Sequence, residues 1–220
     1  MLPLLQNLCA NAICRSIRAL VLVSFTLLGS GCAMFSNTTT LKTDLPARFS
    51  VFTTAHYSPL LGGVCLLPED YAGDPEPDKK RFYSESHPAP FTSTFEVNVS
   101  YNVADCLPVL SGFTFLIQGQ RQHGQNEKEY GTSTVFLEVE TFLREDEELA
   151  TRIDEQVLEV RCYWRGPARD SGARQQLKCF GVDANGKERK GPQLGVLKNR
   201  QLQGLTLRLQ VSVMEANDPS

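Results

Sequence analysis

At 220 residues the chain is long enough for one domain or two small ones. Apolar residues make up 41% and charged residues 21%, an ordinary balance for a chain folding around a core, which excludes intrinsic disorder, collagen-like repeats and a polytopic membrane protein. A formal charge of -3 lacks the Lys/Arg surplus that phosphate contacts need, so no nucleic-acid partner is expected.

The first element is an apolar run at residues 19–28 (ALVLVSFTLL), ten residues without a charge. Arg15 and Arg18 precede it, and no acidic residue occurs before Asp44. A positive flank, a short apolar run and small residues after it are the parts of a secretory signal. Ten helical residues cover about 15 Å, half of a bilayer core, so the run by itself is too short to span a membrane.

Next comes Leu28-Gly29-Ser30-Gly31-Cys32. This segment resembles the lipobox of bacterial lipoproteins, in which small residues precede a cysteine; here the leucine stands one position further from that cysteine than is usual in the family. The resemblance implies that residues 1–31 are a signal peptide and that Cys32 receives lipid and becomes the first residue of the mature chain. Each buried CH₂ of an acyl chain contributes about 0.8 kcal/mol, so two or three chains replace a transmembrane helix as the anchor. Ala33, rather than aspartate, follows the cysteine, which implies attachment to the outer membrane, facing the periplasm.

Cysteine counting agrees with export. Of seven cysteines, Cys9 and Cys14 fall in the signal and Cys32 is taken by lipid. Cys65, Cys106, Cys162 and Cys179 remain, an even number that an oxidising compartment can pair in three ways. The expected pairs are Cys65–Cys106 and Cys162–Cys179, because each closes a local loop; chain entropy values the closures at about 4 and about 3 kcal/mol. No CxxC or HxxxH spacing points to zinc.

Residues 32–47 are polar and read as a flexible tether, leaving 48–216 as one β-rich domain and 217–220 as a disordered tail. A strand is expected at 48–53. The acidic loop 69–78 holds five carboxylates and two prolines, but not at calcium-hand spacing, and reads as an extended surface loop. Phe95, Val97, Val99, Tyr101 and Val103 alternate with polar residues, the mark of a strand with one wet face. Further strands are expected at 113–118 and 134–143, where β-branched and aromatic residues gather. Residues 144–155 (REDEELATRIDE) are the only run of good helix formers and give one short helix at most. Residues 157–164 and 175–182 should pair as a hairpin with Cys162 opposite Cys179. Asp183 with Asn185-Gly186 signals a turn. Leu205, Leu207, Leu209, Val211 and Val213 form the clearest alternating strand. The expected fold is all-β and mainly antiparallel, a β-sandwich or open barrel.

Chemistry-bearing motifs are scarce. His56, His87 and His123 read as solvated loop residues, and no GxSxG, phosphate-loop, GxGxxG or HExxH motif occurs. No cofactor is expected. Charge is more informative: residues 32–148 carry 8 basic and 17 acidic groups, a balance of -9, and residues 149–220 carry 12 and 8, a balance of +4. Arg165, Arg169, Arg174, Lys187, Arg189 and Lys190 cluster around the turns of one hairpin region and are the candidate partner-binding residues, for protein or for anionic head groups. The expected function is that of a non-enzymatic, lipid-anchored periplasmic β-domain that binds another protein at the envelope. It would be an accessory or assembly factor, or an immunity-type inhibitor of a periplasmic toxin. A periplasmic hydrolase or a small-ligand or lipid carrier is the alternative.

Overall fold

A computed structural model describes residues 37–59, 79–101, 107–123, 127–141, 153–166 and 176–214. They belong to one compact unit, Ser36–Ser220. Cys32, Cys65, Cys106, Arg169, Arg174, the acidic loop 69–78 and the tail 217–220 lie outside the described residues.

Ten strands are described: β1 (Thr38–Leu45), β2 (Phe49–Pro59), β3 (Lys79–Ser84), β4 (Phe91–Asn98), β5 (Pro108–His123), β6 (Glu127–Glu140), β7 (Glu155–Arg165), β8 (Gln176–Gly181), β9 (Gln193–Lys198) and β10 (Thr206–Met214). A single-turn helix, α1 (Asn199–Leu202), joins the last two. The strands form two five-stranded sheets, in the orders β4-β1-β10-β7-β8 and β3-β2-β5-β6-β9, packed as a sandwich. Five of the eight pairings are antiparallel; β1–β10, β10–β7 and β6–β9 are parallel. The expected all-β sandwich is what is found.

The core follows from period-two alternation. Leu205, Leu207, Leu209 and Val211 are buried, while Val213 reaches the exposed end of β10. Across the sandwich, Phe113, Phe115 and Ile117 of β5 are buried, with Val135 and Leu137 of β6 beside them. At about 1.5–3 kcal/mol per buried aliphatic or aromatic side chain, this two-sided interior is the main source of stability.

Several expectations are corrected. The segment read as a tether contains β1, which sits inside the first sheet between β4 and β10. Its inward positions are Thr39, Leu41, Thr43 and Leu45, all buried. Two of the four are threonine, so the run looked polar although β-branched residues favour strands. The Thr39 hydroxyl donates to the Leu205 carbonyl at 2.8 Å, whereas the Thr43 and Thr53 hydroxyls are buried with no hydrogen-bond partner among the described residues. The strand expected at 48–53 runs on to Pro59, and the one expected from Phe95 opens at Phe91. In the run read as a helix, Glu155 already opens β7, preceded by the non-helical Ile153 and Asp154; residues 144–152 lie outside the described residues. The helix that is described lies elsewhere, at α1. Strands β3 and β9 were not expected at all.

Both flanks of the sandwich are closed by polar contacts between the sheets. On one, Ser84 of β3 and Ser93 of β4 share a 2.6 Å hydroxyl hydrogen bond, beside the rings of Phe82 and Phe95 at 5.3 Å. On the other, the Cys179 backbone N–H donates to the Ser133 hydroxyl at 2.9 Å, which occupies an edge group of β8. There β6 presses so closely on the first sheet that a Cβ at Gly131 would sit 2.7 Å from both Leu177 Cβ and the Trp164 ring. Only glycine fits.

Candidate binding surface

The expected hairpin is formed by β7 and β8, with Cys162 directly opposite Cys179 and disulfide-bonded. Both sulfurs face the core. Alternation then dictates what the other side presents. With Cys162 and Trp164 inward, Arg161, Tyr163 and Arg165 point outward; with Leu177 and Cys179 inward, Lys178 and Phe180 point outward.

These outward side chains order one another. The Arg165 guanidinium lies over the Tyr163 ring at 5.4 Å and the Phe180 ring at 5.5 Å. The Tyr163 hydroxyl donates to the Glu188 carboxylate, which pushes the phenol above its usual pKa, since losing its proton would set two negative charges side by side. Glu188 is held by its backbone pairing with Val182, just beyond β8. Arg161 reaches the Glu159 carboxylate at 2.9 Å and the Gly186 carbonyl at 3.0 Å.

The expected turn after β8 is also present. Gly186 adopts a φ of 77°, a conformation that glycine takes without strain. The Asp183 carboxylate accepts hydrogen bonds from the Lys187 and Asn185 backbone N–H groups at 2.9 Å each. Those bonds, first the one from Lys187, hold its pKa below the ordinary carboxylate value.

Of the six expected cations, Arg165, Lys187, Arg189 and Lys190 are described, and all four are exposed. Arg165 stands on β7, and the other three follow the turn that extends β8. Arg189 is directed toward β9, its guanidinium 3.7 Å from where a Cβ would stand on Gly195. The structure adds three partners to these basic residues: Tyr163, Phe180 and Glu188. The i, i+2 spacing of Tyr163 and Arg165 was visible in the sequence, and Cys162–Cys179 pairing brings Phe180 opposite Arg161. Nothing in the sequence linked Glu188 to Tyr163.

Two of the three histidines depart from expectation. His56 is no loop residue: it lies in β2, half-buried, with Nε2 2.8 Å from the Thr114 hydroxyl of β5. His87 is exposed between β3 and β4, its ring 4.3 Å from Phe91. His123 closes β5 rather than lying in the turn. Among the described residues no group of three or more His, Cys, Asp or Glu is placed to hold a metal, and no helix is long and apolar enough to cross a membrane. Comparison of the chain with protein-family models, with curated proteins and with solved structures finds no match.

Proposed function

We propose that this chain is a bacterial lipoprotein, anchored through Cys32 in the outer membrane, whose β-sandwich binds a protein of the envelope through the β7–β8 corner. The observation supporting the corner is the stack of Arg165 on Tyr163 and Phe180, with Lys178 exposed beside Tyr163 and Lys187 and Lys190 exposed on the turn that follows β8. Arginine and tyrosine dominate the energetics of protein interfaces, and side chains ordered before contact lose less entropy on binding. The cationic surround selects a partner with an acidic surface. Anchoring rests on the lipobox resemblance, and the disulfide is consistent with an oxidising compartment. The role is that of an accessory factor of an envelope assembly or of an immunity-type inhibitor.

Two measurements test this reading. Mass spectrometry of the membrane fraction should find an acylated peptide beginning at Cys32, and Cys32→Ala should release the protein; an unmodified, soluble wild-type chain would refute the anchor. A photo-cross-linking residue in place of Lys178 should capture an envelope protein, and Arg165→Glu should abolish the adduct. Capture that survives Arg165→Glu, or no capture, rejects the corner as the binding surface.

A further inference from the structure

The second sheet turns a different face to solvent. Tyr83, Phe52 and Leu116 are direct cross-strand neighbours on β3, β2 and β5. Phe136 of β6 lies one outward row along, opposite Thr114, and Val196 of β9 pairs with Glu138, the next outward residue of β6. An apolar band therefore crosses all five strands obliquely. Its members are well exposed: Phe52 36%, Tyr83 49%, Phe136 39% and Val196 47%. Single exposed apolar residues are ordinary, but a band from one sheet edge to the other marks a contact surface.

Charges flank the band in opposite senses. Lys79 and Arg81 stand on β3 at one side; Glu138 and Glu140 stand on β6 toward the other, with Lys198 on β9 offsetting one acid. From this arrangement we infer that the outer face of the second sheet is a two-fold interface between two copies of this chain.

A two-fold axis lying between the faces and parallel to the strands along β5 sets β3 of one copy over β9 of the other, and β2 over β6. Leu116 then meets its own equivalent, Phe52 comes within one outward row of Phe136 of the second copy, and Arg81, lying over β9, comes within one strand and one outward row of Glu138. An axis across the strands would instead stack β3 on β3 and set Arg81 against Arg81. The β3 side carries two cations and the β6–β9 side a net acid, so the charges differ in sign across the central strand, which favours a face complementary to itself. Sheets packing face to face cross at about 30°, a rotation compatible with such an axis. Five strands at about 4.8 Å and nine residues at about 3.3 Å outline roughly 700 Å². That is close to the ~800 Å² per partner of a standard stable interface.

The test uses the full-length chain in its own membrane and, purified, in detergent. A photo-cross-linking residue replacing Tyr83 should give an adduct of twice the mass of the free chain, and the same probe replacing Val157 on the first sheet should not. Arg81→Glu and Glu138→Arg should each lower the yield about tenfold, and the two together should restore it, because the exchanged charges face each other again. Phe136→Asp should leave sedimentation in detergent monomeric, with a melting curve showing that the domain is still folded. A monomeric wild type, a Tyr83 adduct with a different protein, or failure of the double exchange to recover would each overturn the interface.

Discussion

The outer faces of the two sheets are built from the same strand geometry and yet present opposite chemistry. On the first sheet the outward residues of β1, β10 and β7 neutralise one another: Arg208 bonds Asp44 at 3.0 Å and Glu155 at 2.5 Å, and Arg161 bonds Glu159. Away from the β7–β8 corner this is a mainly polar face, with Thr40, Thr92, Thr94 and Thr206 among its side chains and the exposed Val157 between them and the corner. On the second sheet the equivalent rows carry Tyr83, Phe52, Leu116, Phe136 and Val196. The same alternation that buries one side of a strand leaves the other free to vary, so the outward residues report what each face meets.

The strongest way to break this contrast is to remove what rigidifies the first sheet's corner. Replacing Cys162 and Cys179 together with alanine should cost about 3 kcal/mol, from the entropy that a loop of this length restores to the unfolded chain. Urea titration with and without reductant measures it, and the wild type should lose more stability to reductant than the variant. Filling the close approach of the two sheets comes next. Gly131→Ala should cost about 1–3 kcal/mol by forcing Leu177 and Trp164 aside, read from the same titration. In the opposite direction, Thr43→Val and Thr53→Val should each stabilise the fold by about 1 kcal/mol, since each removes a buried hydroxyl without a partner among the described residues.

Smaller effects sharpen the comparison between the faces. Phe52→Ala should cost about 1 kcal/mol of stability and also weaken self-association, because the ring is partly buried in its own sheet and its exposed third anchors the contact. Arg208→Ala should produce a slight fall in urea midpoint that fades in high salt, as expected for an exposed ion-pair group. The smallest change is local to the turn 183–187. Asp183 has its pKa lowered in the fold, so its contribution is present above the unfolded carboxylate value and lost as pH falls through the lower folded value. Protection of the Asn185 and Lys187 amides, taken relative to intrinsic exchange at each pH, should therefore fall on acidification, and Asp183→Asn should lower it at neutral pH.

How much of this was legible in the chain varies by element for physical reasons. The strands around Phe95 and Leu205–Val211 stood out because runs of large hydrophobes alternate there with polar residues. The β7–β8 hairpin stood out because two cysteines and an Asn-Gly turn bracket it. Strand β1 did not, because Thr39 and Thr43 occupy core positions that look polar in a sequence. Strand β3 (KKRFYS) is a short edge strand whose outward positions carry Lys79 and Arg81, and β9 (QLGVLK) is broken by an irregularity opposite Phe136 and Leu137. In the corner, the cations were visible as a cluster in sequence, but their ordering by Tyr163, Phe180 and Glu188 was not.

Local rules acting on the chain alone determined that its described part is nearly all strand, which residues of the clearest strands alternate into the core, where the turn after β8 falls, and that Cys162 meets Cys179. Those features depend on neighbours within a few residues, or on one short loop. Tertiary structure alone decided that β1 lies between β4 and β10, that three pairings run parallel, that Glu188 holds Tyr163, and that five scattered apolar residues line up across one face. Each of these depends on the register between segments far apart in the chain, and a register is set by the packing of the whole sandwich rather than by any stretch of sequence within it.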